Sequence, residues 1–588
     1  MRKMNKNIKS NTELSTIKEA ALEYFEEYMK VRTCEQLVDC LRDDKGYLAN
    51  IPEATKAVEL FMVHKDFTMH MAEKAIVEVM ADTLVKQPTL STLNSKVAEM
   101  FSRHDYTPVI RFRLAAVLLR MLENSGLFNV VKELNKKSNL VKVARFAHNI
   151  SEVGFLDLAK KLRKPPATSF PVKASSKLVG SQLKYCVENP QMLDVTGKLN
   201  NVGYTSSAKV WNKYKETLAQ RKFGHPDAES TRQAFIEMGD SLLGKTFYFG
   251  HKFGPDNGRI YCDGDLMTLQ SGALNFIYKF ADKRMLTSRG LKALEQRVQE
   301  LRDVAEPKLK EEMELYSLEL DLQDAKDGKP VGTILYIDAK LSGLQHQAIA
   351  TRSKELAGYC GLLAPELCAD GYLHIKDKMA NRADLTRDLV KSAYNPYQYG
   401  AGKAKTLEPV EKAKATLDFE EWEKAYSAAF PEAFALRTYL LEVATNFKAE
   451  SHEFTSPSGF KCVLTAIGTE TDTIATCYGK MEFARSEIDK DHMSVRVVAA
   501  FSHMLDASVL HTVVRAMECD ISVIHDSFGT HPNNTYKVEE AYVTALLSHL
   551  EQPVLQNYVS SITGTKNANV SRLMANTLKS EDIVGGLF

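Results

Sequence analysis

Two aspartates, an arginine, a lysine and a tyrosine in this 588-residue chain have the types and spacing that phosphoryl transfer needs. Asp338 ends a short apolar, β-branched run, Thr333 to Ile337 in VGTILYIDAKLSGLQHQAIATR, which suits a buried strand. A carboxylate at a buried strand's exit is held rigidly and meets solvent, as a metal ligand must. An aspartate there is equally an ordinary cap for the helix that follows. Asp526 lies in ECDISVIHDSFGTHP, which predicts a strand, a tight turn and a return, with Asp526 at the tip beside His525. One aspartate in a turn is unremarkable. Two on strand ends are what two-ion phosphoryl transfer requires, because Mg2+ takes carboxylate and phosphate oxygens. Two such ions about 4 Å apart stabilise both the attacking and the leaving oxygen.

The cations lie between them in LTRDLVKSAYNPYQYGAGKAK. Arg387 and Lys391 are four apart and share a face if the segment is helical; Tyr399 and Gly400 follow. Such a helix can grip a triphosphate, with the lysine donating a proton to departing pyrophosphate. Taken alone, the pair is more often two solvated cations.

The elements that must position these residues read as helix-rich α+β, since short β runs alternate with longer helical patterns after about residue 165. Before it, helices joined by short loops are expected; RFRLAAVLLRMLENSGLF places Phe112, Ala115, Leu118, Leu119 and Leu122 at helical spacing, then breaks at Ser125–Gly126. KKLRKPPATSFPVKASS, from Lys160 to Ser176, reads as a linker. The charged stretch Ser288 to Asp327 reads as one or two exposed helices inserted without catalytic content.

The length implies several domains. Apolar residues at 44% and charged residues at 26% are ordinary for a globular protein. No run of about 18 uncharged apolar residues exists, so no spanning helix and no membrane partner are expected. MRKMNKNIKS is basic but lacks a signal peptide's apolar core. Nine cysteines without a C-x-x-C pair argue against a zinc knuckle or a disulfide framework and suit a reduced compartment. The net charge of +1 lends nucleic-acid binding no support, so any phosphate-facing charge must be sorted onto one surface.

Together these stretches resemble the three motifs of the single-subunit RNA polymerases of bacteriophages and mitochondria. DAKLSGLQH resembles their first, Arg387 to Gly400 their second and HDSFGT their third, in the same order. Weaker similarity attaches to DNGRIY (Asp256 to Tyr261), FSHMLDASVLH (Phe501 to His511), SPSGF (Ser456 to Phe460) and the terminal DIVGGLF. The resemblance covers roughly Leu199 onward.

It implies a right hand of palm, fingers and thumb with a small all-helical N-terminal domain. On that pattern residues 1–170 are the N-terminal domain and 171–245 a thumb-like or linker region. Residues 246–350 are the first part of the palm, with the charged insertion at 288–327. Residues 351–500 are fingers with a short specificity hairpin, and 501–588 are the second part of the palm and a C-terminal foot. Asp338, Asp526 and the carbonyl of Ala339 are implied ligands of two Mg2+ ions, and Lys391 joins the aspartates in catalysis. Arg387, Lys391, Tyr399 and Gly400 are implied at the nucleotide, with Tyr372 in DGYLHIKDK a looser match. Arg259, His503 and His525 are implied to lie along the template–product hybrid or its 3′ end. The implied activity is RNA synthesis on a DNA template from ribonucleoside triphosphates.

Related DNA polymerases share the arginine–lysine–tyrosine helix, so a DNA polymerase or a primase is the alternative. Those enzymes carry a glutamate in the first motif that blocks a ribose hydroxyl; Gly343, five residues after Asp338, blocks nothing. A hydrogen-bonding Tyr399 would supply the positive selection.

Three departures from the family pattern carry expectations. Asn395–Pro396 stands inside the second motif, and proline removes a helix hydrogen bond and clashes with the preceding turn, so a kink or early unwinding near Asn395 is expected. The Phe460-to-His503 interval is short for a polymerase that reads its own duplex promoter, and the region before the palm is small. A promoter-recognition or single-stranded-DNA-binding partner, or a premelted template, is therefore expected. The expected location is cytoplasmic, in the host cell if the origin is a phage, and a place in the virion is equally compatible.

Overall fold

The computed structural model describes residues 90–99, 108–124, 128–135, 138–146, 189–219, 226–262, 267–269, 272–379, 382, 384–445, 451–465, 467–476, 479–488, 490–565 and 569–587. The proposed linker, 160–176, lies outside them. The chain forms two compact units, one of residues 1–165, 221–240 and 469–487, the other of 166–220, 241–468 and 488–588.

In the first unit, helices Leu90–Glu99 and Pro108–Asn124 pack together through Leu93, Val97, Phe112 and Leu119, with the Asn94 amide donating to the Phe112 carbonyl at 2.7 Å. The expected helix over Arg111 onward is present. The expectation of an all-helical N-terminal domain is not met, because strands Phe128–Asn135 and Ser138–Phe146 form an antiparallel hairpin. The physical cause is readable in FNVVKELN and SNLVKVARF: Val130, Val131, Val141 and Val143 lose rotamer freedom in a helix and fit a pleated surface. A second hairpin, Ile467–Thr476 with Gly479–Ile488, falls in the short interval after Phe460.

The second unit carries all the candidate site residues. In chain order its relevant elements are β1 (Gly203–Ser206), β2 (Phe247–Tyr248), β3 (His251–Phe253), β4 (Ile260–Cys262) and β5 (Tyr278–Phe280). Then come α1 (Ser288–Arg302), α2 (Leu309–Lys326), β6 (Leu335–Asp338), α3 (Ser342–Thr351), α4 (Gly371–Asp377) and α5 (Arg387–Gln398). α6 (Lys490–Ala516), β7 (Ile521–Ile524), β8 (Ser527–Thr530) and α7 (Thr535–Glu551) complete the set.

β8 is the middle strand of an antiparallel sheet, flanked by β7 and β6. Gly529 is the close-packing point of that sheet, since an added Cβ would come within 2.7 Å of the Tyr336 ring and of Ile334. β1 runs between β2 and β5 in a second sheet, covered by the aromatic cluster Tyr204, Phe247, Phe249, Tyr278 and Phe280. α6 passes through the main core with Phe501, Leu505, Val509 and Val513 fully buried. It is the one described helix long and apolar enough to cross a membrane, and most of its apolar stretch is buried inside the unit.

The charged segment is two helices, as expected, but not a free insertion. α1 and α2 are zipped by Arg297–Glu314 and Arg302–Glu319 ion pairs, each at 2.8 Å. Their apolar seam, Leu294, Val298, Leu301, Leu318 and Leu322, buries Leu335 of β6. Arg297, Lys310 and Glu314 also line a cleft that ends at Asp338 and Ser527.

Candidate active site

The register of the central sheet brings the two aspartates together. Asp338 pairs with Ser527, and the Ala339 amide donates to the Asp526 carbonyl at 3.1 Å. Asp338 is the last residue of β6, and the N-cap of α3 is Leu341, in the left-handed region at φ +53°. Asp338 therefore does not serve as the cap of α3. The hairpin turn is the pair His525–Asp526, as expected, with Ser527 already on the return strand. His525 takes φ +56°, a conformation that costs a non-glycine residue free energy and that clusters at functional sites.

Burial pushes the Asp526 carboxyl up to about 6, helped by the charges of Asp506 and Asp338 and opposed by a hydrogen bond from Ser342. Two carboxylates forced together in a partly dry place favour a cation between them. Among the described residues no group of three or more His, Cys, Asp or Glu could hold a metal. Two carboxylates and a carbonyl still suit Mg2+, which takes few protein ligands and completes its shell with water and substrate phosphate. The chain's end runs along this site. The Lys340 amide donates to the Gly586 carbonyl at 3.1 Å, and the buried Gln345 amide donates to the carbonyls of Gly586, Cys360 and Lys340.

A second group gathers Arg387, Lys391 and Tyr372. The Arg387 guanidinium lies 5.0 Å from the Tyr372 ring centre and the Lys391 amine 5.9 Å. Asp370, which the sequence reading missed, organises them. One of its oxygens caps α4 by accepting from the Tyr372 and Leu373 amides at 2.9 and 3.0 Å; the other accepts from Arg387 Nε at 2.7 Å. The D-G-Y-L start of that helix was a readable cap signal.

α5 does not break at Asn395. It runs as an α-helix to Gln398 with Pro396 inside it. Buried Arg437 holds the helix end together, donating to the Tyr397 carbonyl at 2.9 Å and to the Ala401 carbonyl at 3.1 Å, with its guanidinium over the Tyr397 ring. The helix stops at Tyr399 in a Schellman turn: the Ala401 amide bonds to the Pro396 carbonyl and the Gly400 amide to the Tyr397 carbonyl. Gly400, at φ +89°, is the left-handed residue of that turn. Gly400→Ala should cost about 1 kcal/mol and displace Tyr399, checked by chemical denaturation.

The third group centres on Tyr399, His503 and Arg259. The Tyr399 and His503 rings are 4.8 Å apart. Arg259 ends the turn between β3 and β4, and that turn is tied to α6 where His511 Nε2 meets the Gly258 carbonyl at 2.8 Å. The Arg259 guanidinium donates to Asp506 from Nε at 3.2 Å and Nη2 at 2.8 Å. Beyond it, His346 Nε2 is 3.8 Å from the other oxygen of Asp506. Burial would raise the Asp506 carboxyl, but His346 and Arg259 hold it well below the usual carboxylate range. Burial and the Arg259 charge push His503 down to about 3, so it is neutral at physiological pH. His525 packs edge-on against Tyr261, with ring centres 5.9 Å apart. Asp506 and His346 were missed; an aspartate inside the apolar run FSHMLDASVLH was the available signal.

The Asp526 charge acts on the hydroxyls of both Tyr372 and Tyr399. Paired acids on a sheet end, opposite cations on a helix, are the parts of a nucleotidyltransferase. Residues 403–583 match the DNA-dependent RNA polymerase family. The match includes the third motif and α6; Asp338 and α5 precede it. The match supports a nucleotidyltransferase of the DNA-dependent RNA polymerase kind that the three motifs resemble. No curated protein matches the chain. A solved structure, the POL domain of Pol1 from M. smegmatis in complex with DNA primer-template and dNTP, is similar at 11% identity and a TM-score of 0.31 over 80% of this chain and 78% of that one. A likeness of that degree carries no assignment.

Proposed function

We propose that the chain transcribes DNA from ribonucleoside triphosphates with two Mg2+ ions held by Asp338, Asp526 and the Ala339 carbonyl. The observation that carries this reading is the register that sets Asp338 opposite Ser527 and ties Ala339 to Asp526. When bound, the ions neutralise the transferring phosphoryl group and activate the attacking 3′-hydroxyl. Arg387, braced by Asp370, orients the triphosphate. Lys391, with no ion pair among the described residues, is free to neutralise it and to protonate the departing pyrophosphate. Tyr399 meets the sugar, and Arg259, His503 and His525 line the template–product duplex.

On this reading the three-stranded sheet is the palm, 351–500 the fingers with their specificity hairpin, 171–245 thumb-like, and the DIVGGLF tail from Asp582 the foot. The lack of a steric gate favours ribose over a primase or DNA polymerase reading. An added Cβ at Gly343 would lie 2.0 Å from Gln398 Oε1 of α5, so the place of a blocking side chain is filled by helix packing instead. A partner protein or a premelted template supplies promoter opening, and the setting is the cytoplasm, that of the host if the origin is a phage.

The test is extension of an RNA primer annealed to single-stranded DNA with Mg2+. Template-dependent addition of NTPs is expected, together with no specific start on a linear duplex by the chain alone. Extension with dNTPs in preference would move the assignment to a DNA polymerase.

A further inference from the structure

The charged helix pair α1–α2 reaches from the catalytic sheet to the helix that carries Arg387 and Lys391. Its base is fixed just beyond β8. The amide of Thr287, the cap of α1, donates to Asn533 Oδ1 at 2.9 Å, and Asn533 Nδ2 donates to the Met285 carbonyl at 2.9 Å. The Arg289 guanidinium sits 3.8 Å from the ring centre of Tyr536 on α7. From that base the 15 residues of α1 rise about 22 Å to the turn that joins it to α2. Along the way Arg297, Lys310 and Glu314 wall the cleft that ends at Asp338. At the far end stands Lys308, the N-cap of α2, with its amide donating to Glu311 Oε2 at 2.6 Å. Its ammonium lies 3.2 Å from Asp388 Oδ2 in the first turn of α5. The other end of α5 is seated separately, where Gln398 lies so close to Gly343 of α3 that an added Cβ would meet its amide.

We propose that Lys308 is a positioning residue which, through Asp388, sets how far the cations of α5 stand from the two aspartates of the catalytic sheet. This rests on the reading of Arg387 and Lys391 as triphosphate ligands. A triphosphate has to meet those cations and the metal ions at once, so the separation between helix and sheet is part of the site. Arg387 lies about 17 Å along the axis from Gln398, and a tilt of about 4° about that seat moves it about 1 Å. An error of that size matters to phosphoryl transfer. The Asp370 tie joins α5 to α4, whereas the Lys308 tie joins α5 to a helix pair built on the sheet itself. Lys308 and Asp388 have 75% and 68% of their side chains exposed, so their pair adds little to the stability of the fold and is screened by salt. What it supplies is geometry before the nucleotide arrives. Once bound, the triphosphate bridges cations and metal ions and imposes the separation itself, so the loss of Lys308 falls on KM and not on kcat.

The experiment is steady-state single-nucleotide extension of an RNA primer on single-stranded DNA with Mg2+, at low salt, measuring KM and kcat for the matched NTP. The proteins are wild type, Lys308→Gln, Lys308→Arg, Asp388→Asn, Lys308→Gln/Asp388→Asn and Arg387→Ala. Lys308→Gln and Asp388→Asn are each expected to raise KM about fivefold, the upper end for an exposed pair, with kcat within about twofold of wild type. The double variant is expected to match either single one, because both changes break the same contact. Lys308→Arg should restore KM, and the gap between wild type and Lys308→Gln should narrow as salt is raised. Melting temperatures should stay together, which separates positioning from a merely structural role. If the two residues act only as charges near the triphosphate, loss of the cation raises KM and loss of the anion lowers it. Such opposite signs, additive effects in the double variant, or an unchanged KM in both single variants would overturn the proposal and leave the polymerase reading intact. An Arg387→Ala variant with an unchanged KM, or a wild type that adds no nucleotide, would overturn that reading and this inference with it.

Discussion

Asp526→Asn is expected to abolish nucleotide addition and, without metal, to make the protein more stable. The loss of activity should be at least about a thousandfold in single-turnover extension, because a neutral amide cannot balance a divalent cation or the charge that builds up in transfer. The gain in stability follows from the direction of the carboxyl's shift. Its folded value, about 6, lies above the ordinary aspartate value near 3.8, with burial the first cause and the neighbouring acids the next. Between about pH 4 and pH 6 the folded state therefore holds more protons than the unfolded state, and stability falls as pH rises through that window. Above it the ionised Asp526 costs on the order of 2 kcal/mol, which Asn removes. Thermal melts in EDTA should put the variant a few degrees above wild type at pH 8, with the gap closing toward pH 4. Mg2+ should stabilise wild type only. A variant less stable than wild type in EDTA at pH 8 would mean that the acids are not in electrostatic conflict.

Lys391→Ala and Arg387→Ala should separate kinetically, although the two cations share a helix face. Arg387 is committed to Asp370 at 2.7 Å and stacked near Tyr372, so its charge is already partly balanced. Its loss removes a fixed contact that substrate and transition state share, and the expected effect is mainly on KM. Lys391 is exposed and unpaired among the described residues, with Tyr372 beneath it. It can follow the charge as it moves onto pyrophosphate, and its loss should lower kcat by about 10²–10⁴. Lys391→Arg would restore charge without an equally good proton donor, so partial rescue is expected. If both alanine variants raise KM alike and leave kcat unchanged, Lys391 is a binding group and not an acid.

Much of the candidate site was legible without coordinates, because it depends on short segments whose local physics is self-contained. The strand that delivers Asp338 is an apolar β-branched run, the hairpin tip at Asp526 has a turn signal, and the spacing of Arg387 and Lys391 needs only a helix. The exceptions come from partners distant in sequence. Pro396 predicted a kink or early unwinding near Asn395, but the helix runs on to Gln398, where Arg437, 40 residues beyond Tyr397, binds the Tyr397 and Ala401 carbonyls. The valine-rich segments at 130–143 formed a hairpin inside a region read as helical, where pattern alone favoured the helices around it. The charged stretch 288–327 looked solvated because its polar residues dominate the composition, yet its leucine seam covers Leu335 behind the catalytic strand.

By itself the sequence picked out the candidate site residues and the elements that hold most of them, since carboxylates at strand ends, turn glycines and helical spacing are local properties. Only the tertiary structure decided how those elements meet: that β8 joins β6 in the register that sets Asp338 opposite Ser527, beside the Asp526 turn, that Asp370 braces Arg387, and that a buried Asp506 ties Arg259 to the neighbourhood of Tyr399. Each of these is a contact between residues far apart along the chain. Its free energy depends on burial and mutual distance, and neither quantity exists until the chain has folded.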